Sequence, residues 1–309
     1  MSKSMSVGRV GLMLMVLVVA SVTASFCGDV SNVAAFLELG AGARPLALGW
    51  AFVAIADDAN LLQSNPAGLS LVKRPSVLAA YETRLGTCKF GHVAGAWRGF
   101  GCAVSYLDFG LIPKTDRSGA QIGSFTHQDF ALIGAVRLAE GEIPEFGWWS
   151  IGALGKLVSM GEQFSGSAGR GGSIDLGLLF RGSENLELPT LLSGFSVGAV
   201  IENLLGSDVV WGSDGHREAW PPNVVVGVAV KAGDRVLLAV ESDIRRGVSV
   251  GLELSPLRNF ALRGGVSFAG SPTWSFGVGL DLEMVAVDYA MVIHRFLREQ
   301  HRVSLTAHF

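Results

Sequence analysis

Large apolar residues recur at every second position through most of this chain. From Trp274 to Glu283 the even positions Trp274, Phe276, Val278, Leu280 and Leu282 are large and apolar, while Ser275, Gly277, Gly279, Asp281 and Glu283 are small or acidic. On an extended strand that period makes one greasy face and one small or polar face. The same alternation sets Val248, Val250 and Leu252 against Ser249, Gly251 and Glu253. It also sets Val285, Val287, Tyr289, Met291 and Ile293 against Ala286, Asp288 and Ala290, and Ile174, Leu176, Leu178 and Phe180 against Asp175, Gly177 and Arg181. Each segment is about ten residues long, the length of a tilted membrane-crossing strand.

Counting these segments with their turns predicts about fourteen strands. They begin near Ser76, Gly86, Gly99, Ser124, Trp148, Gly172, Gly194, Pro222, Asp234, Gly247, Asn259, Pro272, Met284 and Gln300. An even number of antiparallel strands closes into a barrel with no free sheet edge. Long connections at Leu111 to Gly123, Gly161 to Gly171 and Gly206 to Trp220 are expected on the outer side. Tight ones such as Arg98-Gly99, Ala232 to Asp234 and Ser255 to Arg258 are expected on the periplasmic side, with Glu140 to Gly147 and Gly182 to Leu192 longer than that rule prefers. Trp97, Trp148, Trp149, Trp211, Trp220 and Trp274 fall near strand ends, where an aromatic girdle would lie.

A soluble sheet with one wet face alternates in the same way. The distinction lies in the small face, which is rich in glycine and carries isolated charges at Lys156, Glu202, Lys231, Glu241, Asp243, Arg263 and Asp281. That suits a partly wetted lumen, so the reading is a transmembrane antiparallel β-barrel. Composition agrees: of 309 residues 49% are hydrophobic, only 17% are charged and 41 are glycine, against roughly 25% charge in ordinary globular domains. Intrinsic disorder is excluded by this hydrophobicity, and collagen by the absence of a three-residue glycine period.

Residues Met1 to Ala24 read as a cleaved secretory signal, with Lys3 and Arg9 before the uncharged stretch Val10 to Ala24. Without them 22 basic residues face 27 acidic ones, a balance that argues against nucleic acid as a partner. No later window holds the roughly 18 uncharged apolar residues of a membrane helix. Enzyme motifs are missing: the six histidines have no metal-ligand spacing, no paired-cysteine motif occurs, and Gly169 to Gly172 lacks the lysine of a phosphate-binding loop. Centring a hairpin on Arg98-Gly99 pairs Cys102 with about Gly95, too far from Cys88 for a disulfide across it. No cofactor, metal or catalytic residue is expected.

The segment that alternates least lies before the first strand and holds Gly42-Ala43-Arg44, Ala51 to Ala54, Ala56-Asp57-Asp58 and Asn65-Pro66-Ala67-Gly68-Leu69. Within it Asp57 to Leu62 reads as a short helix that Asn65-Pro66 stops. In order and spacing these pieces resemble the N-terminal motif of the PorV/PorQ group within the FadL-type outer-membrane transporter superfamily. Trp50 departs from it, standing where that pattern often has a second glycine, and Gln63-Ser64 stand where an aromatic is frequent. The chain ends on an alternating strand and Phe309, which resembles the C-terminal assembly signal of bacterial outer-membrane barrels.

The resemblance implies a monomeric barrel of about 14 strands over residues 75–309, with an N-terminal hatch, residues 25–74, folded inside. Asp57, Asp58, Asn65, Pro66, Ala67 and Gly68 would form the hatch motif, the aspartates capping backbone amides or pairing with lumen cations. It further implies the outer membrane of a diderm bacterium, with its lipid and the barrel-insertion machinery as partners. The expected function is FadL-like passive transport of small hydrophobic molecules such as long-chain fatty acids, for which the apolar loop residues Leu111, Ile112, Val209, Val210 and Trp211 also speak. The alternative is a PorV-like role binding proteins of a secretion or surface-assembly system.

Overall fold

A computed structural model describes residues 33–84, 86–161, 168–183, 192–212, 215–268 and 270–309. The signal reading for residues 1–24, Cys27 and most of the Gly182 to Leu192 connection lie outside the described residues. The alternating segments form β1 (Ser76–Arg84), β2 (Cys88–Trp97), β3 (Phe100–Thr115), β4 (Gln121–Ile143), β5 (Gly147–Gly161), β6 (Gly169–Gly182) and β7 (Gly194–Gly206). A short hairpin of β8 (Val209–Trp211) and β9 (His216–Glu218) follows. The series resumes with β10 (Asn223–Ala232), β11 (Val236–Asp243), β12 (Gly247–Leu257), β13 (Phe260–Ser267), β14 (Thr273–Asp281), β15 (Val285–Ile293) and β16 (Gln300–His308). Leaving out β8 and β9, fourteen strands pair antiparallel in a ring that closes where β1 meets β16, with Ser76 opposite His308. No strand start lies more than three residues from its expected place.

The greasy face points outward. Trp274 and Phe276 are 53% and 47% exposed, whereas Ser275 between them is 3% exposed. Leu132, Val136, Leu157, Leu178, Val303 and Leu305 are likewise exposed on the outer face, which makes an apolar belt that only hydrocarbon can cover. Inside, the seven predicted lumen charges are bonded or line recesses. Lys156 meets Asp175 at 2.8 Å, Glu202 accepts from Asn223 at 2.8 Å, and Arg246 holds Asp243 at 2.6 Å. Lys231 and Asp281 line recesses at the rim where β1 begins, called here the lower rim.

Four expectations change. The supposed loop Leu111 to Gly123 is mostly strand: β3 and β4 stay paired as far as Thr115 opposite Gln121, past an irregularity at Asp108 to Leu111. Cross-strand hydrogen bonds satisfy this backbone beyond the apolar belt, so Leu111 and Ile112 lie on a projecting hairpin. By the same extension the Glu140 to Gly147 connection shortens, because β4 continues to Ile143. Trp220 leaves the girdle; it is 6% exposed, packs in the upper lumen and lies under the Lys156 ammonium. Val209 also turns inward, buried beside Phe36, rather than forming an apolar outer loop. Cys102 pairs with Gly95 as expected, and Cys88 and Cys102 are both free thiols.

Residues 33–72 run down inside this ring. They form a 3₁₀ turn at Ala35–Leu39, the helix α1 (Ala43–Ala47) and further 3₁₀ turns at Ala59–Gln63 and Pro66–Leu71. The expected helix at Asp57 to Leu62 is this third element: it starts later because Asp58 is its cap, accepting the Asn60 amide at 2.8 Å. Asn65-Pro66 ends that turn and begins the next, with Asn65 capping the Ala67 amide and Pro66 at the first position, where no N–H is needed. Leu61, Leu62 and Leu69 pack in one cluster with the wall residues Leu78, Ala94, Ile133 and Leu154.

Candidate functional site

The site is the joint between this inner segment and the wall. Small residues make the approach possible. A Cβ built on Gly152 would stand 2.5 Å from the Pro66 carbonyl carbon, and one on Gly251 2.6 Å from the Leu48 oxygen; one on Gly198 would overlap the Val53 carbonyl. These glycines sit on β5, β12 and β7 and face the lumen, so the glycine excess is a set of seats for the segment's backbone.

Between the seats, wall side chains satisfy the segment's peptide groups. Glu241 accepts the Phe52 and Val53 amides at 2.9 and 2.8 Å, and Ser196 donates to the Ala54 carbonyl at 2.6 Å. Ser304 accepts the Ala43 amide at 3.1 Å. Arg302 donates to the carbonyls of Leu39 and Ala41 while pairing with Glu82, and neither side chain of that pair is exposed at all. A buried backbone without such partners would be costly, so these polar wall residues specify where the segment lies.

The motif residues fall at two places. Asn65, fully buried, donates to the carbonyls of Val53 at 2.9 Å and Leu178 at 3.0 Å, which ties the segment to itself and to β6. Pro66 packs against the wall at Gly152 and Gly177. The Ala67 carbonyl accepts from Ser150 at 3.0 Å, and Gly68 has no room for a Cβ because the Ala56 carbonyl abuts it. Asn65→Asp removes both amide donors and turns an oxygen toward two carbonyls. We expect a loss of about 2–3 kcal/mol of docking energy, read as protease susceptibility of residues 33–72 in a barrel that still shows heat-dependent gel mobility.

Asp57 and Asp58 belong to a second cluster at the lower rim. Arg44 binds Asp57 at 2.6 Å and Asp58 at 2.9 Å, and grips Glu253 of β12 with two nitrogens at 2.9 and 3.2 Å. Glu253 also accepts from Arg263 at 2.7 Å, and Arg263 continues to Asp288. Burial raises the Asp58 carboxyl above its ordinary range, while Arg44 pulls it back down. Recesses of about 300 and 590 Å³ open on this network, and both are lined by Arg44, Asp57, Glu253 and Ser255. The motif residues Asp57-Asp58 and Asn65 to Gly68 are therefore not one site but two fastenings, joined through Ala56.

At the upper end the first described residues, Val33, Ala34 and Phe36, pack in an apolar chamber with Phe90, Leu107, Val158, Met160 and Trp220. Beside it lies a polar recess of about 50 Å³ that includes Lys156, Asp175, Glu202, Asn223 and Arg245. Charged network below, apolar chamber above and a fastened segment between them make a blocked passage. The fold is shared with solved hydrocarbon-transporter barrels. The toluene transporter TodX of P. putida superposes with a TM-score of 0.58 at 13% identity, over 87% of this chain and 99% of its own. The monoaromatic hydrocarbon channel CymD gives 0.56 at 14%, over 88% and 98%, and the toluene transporter TbuX of Ralstonia pickettii 0.54 at 11%, over 87% and 98%. No family model and no curated protein matches the sequence.

Sequence reading did not single out Arg302, Glu82, Glu241 or Glu253 as site residues. Their signal is parity: each is a charge at a lumen-facing position of an otherwise alternating strand. Trp50 has a left-handed backbone at φ 75°, a conformation that glycine adopts more readily than a residue with a Cβ. Here the ring lies beneath the guanidinium groups of Arg246 and Arg302 at 5.9 and 5.7 Å.

Proposed function

We propose that this chain is a passive outer-membrane channel for small hydrophobic molecules, in which residues 33–72 act as a hatch. The observation that carries this reading is the apolar upper chamber closed by the chain's own Val33, Ala34 and Phe36. An apolar molecule gains from entering such a chamber roughly in proportion to the area it hides from water, and the segment below is fastened by hydrogen bonds and ion pairs that can exchange. No covalent step is needed, since a concentration gradient supplies the direction. The reading includes residues 1–24 as a cleaved signal, Phe309 as the insertion signal, the outer membrane of a diderm bacterium as the location, and a monomer as the working unit. Support for Phe309 comes from its place: its amide donates to the Pro75 carbonyl at 2.9 Å beside the β1–β16 closure.

The test is flux. Liposomes carrying the protein should take up toluene and a long-chain fatty acid faster than protein-free liposomes, and equal rates would overturn the proposal. A second reading, a PorV-like scaffold for secreted or surface proteins, is favoured by the projecting β3–β4 hairpin, where Leu111 and Ile122 are 72% and 60% exposed. It expects partner proteins to co-purify from native membranes and to be lost when the tip of the hairpin is deleted.

A further inference from the structure

We propose that the upper recess selects hydrophobic molecules that carry a hydroxyl group, such as phenols or alcohols, over plain hydrocarbons and over carboxylates. This deepens the transport reading and rests on it. The recess borders apolar side chains at Ala34, Leu37, Leu154 and Val200 and polar ones at Asn203, Asn223 and Arg245.

The polar side has a defined donor and acceptor balance. Asn223, 1% exposed, gives its amide nitrogen to both Glu202 at 2.8 Å and Asp243 at 3.1 Å, which fixes the amide orientation and leaves Oδ1 without a protein partner. Asn203, 3% exposed, gives its amide nitrogen to the Pro221 carbonyl at 3.2 Å and likewise has an unpartnered Oδ1. Its backbone is held left-handed at φ 56° in an irregular stretch of β7, with its amide on Asp175 at 2.8 Å. Gln63 Oε1 is a third unpartnered acceptor, and Arg245 Nε an unpartnered donor.

A hydroxyl matches this set, because it donates one hydrogen bond and accepts others. Its proton can go to an asparagine oxygen while its oxygen accepts from Arg245. A carboxylate would set its lone pairs against those of the amides. Arg245 could donate to a carboxylate as well, but an anion has no proton for the amide oxygens, and the acids Glu38, Asp175, Glu202 and Asp243 already outnumber the basic Lys156, Arg245 and Arg246 around the recess. A hydrocarbon would leave every one of these buried polar atoms unpaired, which is unfavourable. The molecule's apolar body would replace Val33 and Ala34 in the neighbouring chamber.

The experiment compares p-cresol, toluene and benzoate, three ligands of similar size, on the full chain in lipid nanodiscs by calorimetry and in liposomes by flux. p-Cresol should bind about tenfold more tightly than either of the others, the equivalent of one well-made buried hydrogen bond. Asn203→Gly, which removes the acceptor and tolerates the left-handed backbone, should bring p-cresol down to the toluene value. Asn223→Leu should do the same, with heat-dependent gel mobility confirming that each barrel is closed. Toluene or benzoate binding as tightly as p-cresol, or no effect of Asn203→Gly in a closed barrel, would overturn the selectivity and leave transport standing. If none of the three crosses faster than through protein-free liposomes, the transport reading itself fails.

Discussion

Arg44→Ala is expected to leave the barrel closed and its lumen leaky. Among the described residues, Arg44 is the one cation that touches both aspartates of the inner segment and Glu253 of the wall, at 2.6, 2.9 and 2.9 Å. Alanine leaves Asp57 and Asp58 side by side without their cation and Glu253 with Arg263 alone. Breaking a buried ion pair by removing one partner costs about 3–5 kcal/mol, and this cluster, open to a recess, belongs at the lower end. Barrel strands lose nothing, because none of their ladder hydrogen bonds involves Arg44. In planar bilayers the variant should therefore conduct ions more often or at higher amplitude than the parent, with unchanged heat-dependent gel mobility. Identical conductance would show that the lower fastening does not hold the segment. Arg44→Lys should recover only part of the closure, since a single ammonium cannot reproduce the two-nitrogen grip on Glu253.

Gly198→Val should have a comparable effect from the other side of the joint. The new Cβ falls on the Val53 carbonyl oxygen. That peptide cannot move aside cheaply, because its oxygen accepts from Asn65 at 2.9 Å and the Val53 amide is held by Glu241 at 2.8 Å. Ordinary overpacking costs about 1–3 kcal/mol when side chains can shift; a backbone pinned on both sides should place this variant at or above that range. The expected readouts are ion leakage and protease access to residues 33–72. Gly134→Val is the control: Gly134 faces outward on β4, and a Cβ there meets nothing within 4 Å. It should stay within about 0.5 kcal/mol of the parent in urea unfolding. Leakage from Gly134→Val equal to that from Gly198→Val would show that valine in the wall, rather than the seat for Val53, is responsible.

Much of the barrel was legible in the chain because strand faces follow a local rule. Trp274, Phe276 and Val278 point outward and Ser275, Gly277 and Gly279 inward for the same reason that they alternate. Errors arose where the rule stops informing. Nothing local says that β3 and β4 continue to Thr115 and Gln121, since that depends on each strand finding a partner beyond the belt. Trp220 was placed by its nearness to a strand end, yet whether a tryptophan near an end faces lipid or lumen depends on what fills the lumen.

The candidate site was legible as a pattern but not as a mechanism. Asn65-Pro66 announced a break, and the capping roles of Asn65 and Asp58 follow from their side chains acting within two residues. That Asn65 also reaches Leu178, 113 positions away, has no trace in its neighbours. The same holds for Arg44 with Glu253, Glu241 with Phe52 and Val53, and Arg302 with Leu39 and Ala41.

By itself the chain's order of residues determined a period of two, the strand count, the outward greasy face and a small-sided segment unlike the strands. These are properties of neighbours along the backbone, set by where successive side chains must point. Only the tertiary structure decided that the glycines at 152, 198 and 251 are seats for that segment, and that its motif forms two separate fastenings. It also decided that unpaired amide oxygens gather beside an apolar chamber at the upper end. Those outcomes depend on which distant groups a closed ring brings within hydrogen-bond and van der Waals reach, and such distances do not exist until the barrel has closed.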